Sequence, residues 1–193
     1  MTLGQFFFKY RSYTPIPFLL PLIIYARPTM LTMLIGVLII AFGEFLRFWG
    51  VSYAGGETRT RNVGASALVT QGPFAFVRNP LYLGNILMYF GISIMSNSLF
   101  PFLQLIVPVF FFIQYLFIIK EEESFLREKF REKYEDFFNS VNRFMPKTSP
   151  YELSKQSKVK QNNSAAITSE KRTFQGTFFI MLLIIIIYIL IHQ

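Results

Sequence analysis

The chain has no cysteine and a single histidine, His192, next to the last of its 193 residues. The first absence excludes disulfides, thiolate metal sites and cysteine nucleophiles, and says nothing about redox compartment. The second leaves no imidazole except beyond the last apolar run, so chemistry here must do without a histidine base or a histidine-bound metal. Charge is scarce too, at 16% of residues, against about 25% in an ordinary soluble domain. Apolar side chains make up 52%, with 24 Phe and 10 Tyr, and mean hydropathy is +0.40. That composition excludes a disordered chain and argues against a water-soluble enzyme. The net charge of +8 fits Lys and Arg gathered on one side of a bilayer, so no nucleic-acid partner is expected.

The fold expected is an all-α polytopic membrane bundle of about five spans plus an amphipathic helix. From Asn79 to Ile119 there are 41 residues without Asp, Glu, Lys or Arg. One straight helix of that length would reach roughly 60 Å, twice the hydrocarbon thickness, so the segment must double back. Ser96-Asn97-Ser98 and Pro101 mark the turn of a hairpin, about Leu81–Met95 and Leu99–Ile119. Pro28–Gly43 and Gly176–Ile191 supply two more spans. Tyr13–Ala26, short and bearing Pro15, Pro17 and Pro21, is read as the first; a signal peptide is the competing reading, but no small-residue cleavage site follows.

With five spans, eighteen of the nineteen basic residues fall on one side and only Arg27 on the other. The positive-inside rule then predicts a cytoplasmic amino terminus, second loop and long polar segment. Residues 1–146 are expected to form the membrane domain. Within it, Lys120 to Phe144 shows a helical spacing of apolar residues suited to the bilayer surface. Residues 147–173 read as a basic, mobile linker, and 174–193 as a last membrane helix.

Three polar groupings interrupt the apolar background. In GPFAFVRNPLYLGN, residues 72–85, Pro80 suits a first helical position with Asn79 as its cap. Arg78 beside the amides of that helix start favours an anion such as a carboxylate. Tyr82 and Asn85 share a helix face, and Gly84 permits close approach of a ligand or of another helix. Glu121, Glu122 and Glu123 follow directly on the uncharged run, so at least one carboxylate lies at the membrane edge and needs a partner. The third grouping is Tyr134 with Arg143 and Pro146. Each has a plain alternative: a capped helix, a solvated acidic face, a helix end. Glu44 and Arg47 are spaced to pair on one helix. The basic loop Gly55–Gly64 lacks the spacing of a phosphate loop.

In order and spacing, GPFAFVRNPLYLGN, the hairpin, EEESFLREKFREKYEDF and RFMP resemble the isoprenylcysteine carboxyl methyltransferase and phospholipid methyltransferase superfamily, over about residues 68–146. The resemblance implies an integral membrane methyltransferase using S-adenosylmethionine on a lipophilic or prenylated acceptor from the bilayer. It implies Arg78, Asn79, Pro80, Tyr82, Gly84 and Asn85 on one wall of the cofactor site, Glu121 and Glu122 on another, and Tyr134 and Arg143 closing it. Arg78, Glu121 and Arg143 are the residues it nominates for catalysis. Asn79 stands where that family usually has His, and Phe74 where Tyr is common; Asn forms hydrogen bonds but cannot titrate. Two other readings remain open on the sequence: an NADPH-dependent membrane reductase of the sterol-reductase kind, and a non-catalytic membrane scaffold.

Overall fold

A computed structural model describes residues 1–55, 64–152 and 159–193. Among the described residues there are seven α-helices and no strand: α1 Leu3–Tyr10, α2 Ile16–Ile24, α3 Met30–Ala54, α4 Pro80–Ser96, α5 Phe102–Phe130, α6 Glu132–Ser140 and α7 Asn163–Ile191. A 3-10 turn, Gly72–Ala75, precedes α4. Most of the basic Gly55–Gly64 loop, with Arg59 and Arg61, lies outside the described residues.

Three helices, α3, α5 and α7, are long and apolar enough to cross a membrane, and α4 is a shorter apolar helix. The expected hairpin turn is present. Asn97 takes the left-handed conformation (φ 51°) that closes α4, a conformation in which Asn is among the commoner non-glycine residues. The first stretch differs from expectation: it is two short helices. Pro15 lacks the N–H that would continue α1, so the chain turns at 11–15 before α2 begins. Together α1 and α2 nevertheless run the length of the bundle. Thr2 donates to Glu121 in the polar part of α5, Phe7 meets Phe117, and Phe18 meets Phe110. At the far end Ser96 and Ser98 donate to the carbonyls of Leu22 and Pro21.

The closest packing is between α3 and α4, which are antiparallel. A carbon added at Gly84 would lie 2.8 Å from the Gly43 carbonyl oxygen, and one at Gly91 would lie 2.9 Å from that of Gly36. Both pairs therefore need glycine on each helix for the backbones to touch. Gly84 thus serves contact with a neighbouring helix.

Further expectations change. α3 does not stop before Glu44 and Arg47 but runs through them, because both find partners on α7. Arg47 makes a bidentate pair with Glu170 at 2.8–3.1 Å, and Thr177 donates to Glu44 at 3.0 Å. Arg47 thus has Glu170 of α7 as its ion-pair partner. For the same reason α7 starts at Asn163, inside the expected linker; the Asn162 amide donates to the Ser52 carbonyl, docking its first turn. The amphipathic helix is likewise divided: α5 continues to Phe130, Arg131 turns the chain at φ 48°, and α6 folds back. Tyr134, Phe137 and Val141 pack with Ala75 and Tyr151 into a second small core. Arg78 and Asn79 amides bond the carbonyls of Asn142 and Arg143, and Lys147 and Tyr151 amides bond those of Phe76 and Ala75. This ties the segment after α6 across the entry to α4.

Candidate active site

The start of α4 and the acidic stretch of α5 meet. The Tyr82 hydroxyl donates to Glu122 at 2.6 Å, and Arg78 reaches Glu123 at 3.1 Å. Between them opens a cavity of about 820 Å³ to which all seven helices contribute.

Glu123 is the hub at its rim. Its two oxygens take Arg78 and, at 2.9 and 2.5 Å, Arg143. Arg78 is nearly enclosed: one terminal nitrogen donates to the carbonyls of Phe138 and Val141, and its guanidinium lies 4.1 Å from the Phe138 ring centre. A buried carboxylate shared by two guanidiniums is expensive to desolvate and costly to break. It welds the end of α6 to α4 and α5. The hydrogen bond to Glu123 holds the Arg143 guanidinium above its ordinary pKa. Tyr134 lies beneath α6; burial first, then the Glu123 charge, push its phenol well above its usual range, so it stays protonated.

Deeper in the bundle the polar residues form a chain. Tyr82 stacks on Tyr115 at 4.6 Å, and Tyr115 and Tyr89 both stack on Phe111. Asn85 accepts from Arg47, which leads on to Glu170.

Of the residues singled out in the sequence, Arg78, Asn79, Tyr82, Asn85, Glu122 and Tyr134 line the cavity. Four stand elsewhere. Glu121 binds Thr2 and packs on Gly4, fastening α1. Arg143 acts on Glu123 from outside. Pro80 is the buried first residue of α4, and Gly84 lies against α3. Asn79 is the residue before α4 but makes no side-chain cap. Its Nδ2, like Arg78 Nε, is buried without a hydrogen-bond partner among the described residues.

Tyr89 and Tyr115 are wall residues that sequence reasoning did not nominate, and Glu123 stood in the acidic grouping without a place in the expected cofactor site. Helical spacing carried a signal for two: Tyr89 lies seven residues after Tyr82, and Tyr115 seven before Glu122, each pair on one face. Lys9 and Arg11 also line the cavity, brought there by the break after α1. Among the described residues no three His, Cys, Asp or Glu side chains gather as metal ligands.

Residues 31–133, from α3 into α6, match the phospholipid methyltransferase family. The chain belongs to that family. Membership makes it an integral membrane protein of a methyltransferase family, in agreement with its long apolar helices. Among curated proteins, this phospholipid methyltransferase family chain is 29% identical over 127 residues to the cobalt-zinc-cadmium resistance protein CzcN of Cupriavidus metallidurans, covering 66% of this chain and 54% of that one. It is 29% identical over 115 residues to the nickel-cobalt-cadmium resistance protein NccN of Alcaligenes xylosoxydans xylosoxydans, covering 60% and 50%. The chain thus spans about half the length of these relatives. No solved structure matches it.

Proposed function

We propose that the protein transfers a methyl group from S-adenosylmethionine to a lipophilic acceptor taken from the bilayer, an isoprenylcysteine-like carboxylate or a lipid. The observation that carries this reading is the cavity, where unspent donors and a carboxylate converge. Asn79 Nδ2 and Arg78 Nε, both buried and unpartnered among the described residues, suit a carboxylate such as the cofactor's. Glu122, already oriented by Tyr82, suits its amino group, and the Tyr82 and Tyr134 rings offer flat apolar surface for the adenine. When bound, the cofactor supplies a methyl group on a positively charged sulfur, activated for displacement.

The chain's own work is then positioning and exclusion of water. Glu123 with Arg78 and Arg143 holds α6 over the cavity, which sequesters the site. Tyr115 and Tyr89, both stacked on Phe111, form the floor. A carboxylate acceptor is ionised at neutral pH and needs no base, which suits a cavity without histidine and with a protonated Tyr134. An in-line displacement gains most from alignment, and rigid walls supply that.

The distribution of basic residues leads us to place the amino terminus and cavity mouth in the cytoplasm. The two relatives are named for resistance to metals; the link this cavity supports is through modified membrane lipid, since no ligand cluster for capturing a metal is present among the described residues. Purified protein incubated with methyl-labelled S-adenosylmethionine and a total lipid extract should place label in the organic phase, and Glu122→Gln should suppress it. Absence of lipid-borne label with the wild-type protein would overturn the reading.

A further inference from the structure

The last helix lies outside the residues that match the family, yet it reaches the cavity. Arg172, Thr173, Gly176, Thr177 and Ile180 of α7 are wall residues. With about 100° between successive helical residues, α7 divides into three faces. Ala166, Glu170, Thr177 and Ile184 are its buried positions, and Glu170 and Thr177 bind α3 through Arg47 and Glu44. Thr173, Gly176 and Ile180 form the adjoining face, toward the cavity. Phe178 and Leu182 point the opposite way and are exposed, as lipid-facing residues would be.

The cavity is also graded along its length. Its charged end holds Arg78, Asn79, Glu122 and Glu123, whereas Leu19, Met88, Ile92 and Ile180 line its other end. Pro80 to Ile92 is twelve residues of helix, so the apolar end lies about 18 Å from the start of α4, well inside the hydrocarbon thickness. A volume of about 820 Å³ lies toward the upper end of the range of about 300 to 1,000 Å³ for small-molecule pockets. At Gly176 an added carbon would meet nothing within 4 Å, so this wall position has free space in front of it.

We propose that α7 is the acceptor-side wall of the cavity, and that residue 176 sets the room left for the acceptor's hydrocarbon. The inference rests on the methyltransferase reading and goes beyond it, because it moves α7 from membrane anchor to part of the site. The buried Arg47–Glu170 pair is what holds this wall in register with Asn85 on α4. An anchor needs no ion pair inside the bundle, and the desolvation cost of such a pair is offset only where its geometry is well fixed.

The absence of cysteine provides the test directly. Gly176→Cys and Phe178→Cys are each prepared in the full chain, reconstituted in nanodiscs and treated with a sulfonate-bearing methanethiosulfonate. Thiolate forms only where water reaches, so Gly176→Cys should react at least about tenfold faster than Phe178→Cys. In parallel, Gly176→Leu should bind S-adenosylmethionine within about twofold of wild type while label transfer to the lipid extract falls about tenfold or shifts to slimmer acceptors. Equal, slow reaction at the two cysteines would overturn the proposal, as would unchanged transfer by Gly176→Leu. A wild-type protein that binds no S-adenosylmethionine would overturn the methyltransferase reading, and the acceptor role with it, whatever the cysteine rates; the two failures are thereby distinguished.

Discussion

The two ends of the helical bundle are both fastened by polar groups, but of different kinds. At the hairpin tip the side chains are neutral and bind backbone: Ser96 and Ser98 to the carbonyls of Leu22 and Pro21, Asn97 to that of Arg27, and Gln104 to those of Ser93 and Ser98. The Arg27 amide returns a bond to Ser96. At the other end the side chains are ionised and bind one another around a cavity. Neutral bonds to backbone satisfy groups that would otherwise be stranded in apolar surroundings, and ask for no open space. Buried ions are a costly way to join helices, and their concentration beside a cavity is the reason we propose the site at this end.

The largest expected effect is at Glu123. Glu123→Ala strands Arg78, which is buried, and releases Arg143, so the unfolding free energy in detergent should fall by about 3–5 kcal/mol. A loss below about 1 kcal/mol, the ordinary value for one neutral hydrogen bond, would erase the contrast between the two ends. Next comes the α3–α7 pair. Glu170→Ala should cost about 3 kcal/mol, and the double change Arg47→Met with Glu170→Leu should recover most of it, because the desolvation penalty leaves with both charges. A double variant no better than the single would mean that the pair is net stabilising.

The fold was legible in the sequence to the extent that it followed from hydropathy. The uncharged run, the Ser96-Asn97-Ser98 turn and the apolar helices were all present as composition and spacing. What escaped was set by partners distant in sequence. Glu170 and Arg47 are 123 residues apart, so nothing local announced that α3 would run through its charges or that α7 would begin early. The site was legible in its types but less so in its assignments. Arg78, Glu121 and Arg143 read as catalytic candidates, yet the latter two fasten α1 and α6, and Arg78 commits its terminal nitrogens to Glu123 and backbone. Which of three adjacent glutamates faces inward is decided by helix phase, and Glu122 and Glu123 took the inward positions.

Smaller effects sharpen the comparison. Tyr82→Phe removes a hydrogen bond to a carboxylate and should cost about 1.5–3 kcal/mol, whereas Ser98→Ala at the far end should cost about 1 kcal/mol, both by chemical unfolding. The least effect in the neutral range is expected from Tyr134. Its folded pKa is raised by burial, so below about pH 10 the phenol is protonated folded and unfolded, and stability does not depend on it. Above that pH the unfolded chain loses the proton first and the folded state is weakened. Tyr134→Phe should flatten the alkaline limb of a pH–stability curve and leave the rest unchanged.

The central claim is that the ionised end of the bundle is a cofactor site and the neutral end is not. Calorimetric titration of S-adenosylmethionine into the purified protein tests it most directly. Saturable binding is predicted, weakened about tenfold or more (about 1.4 kcal/mol) by Asn79→Ala and by Glu122→Ala and untouched by Ser98→Ala. No binding by the wild-type protein, or equal binding by all four, would contradict it.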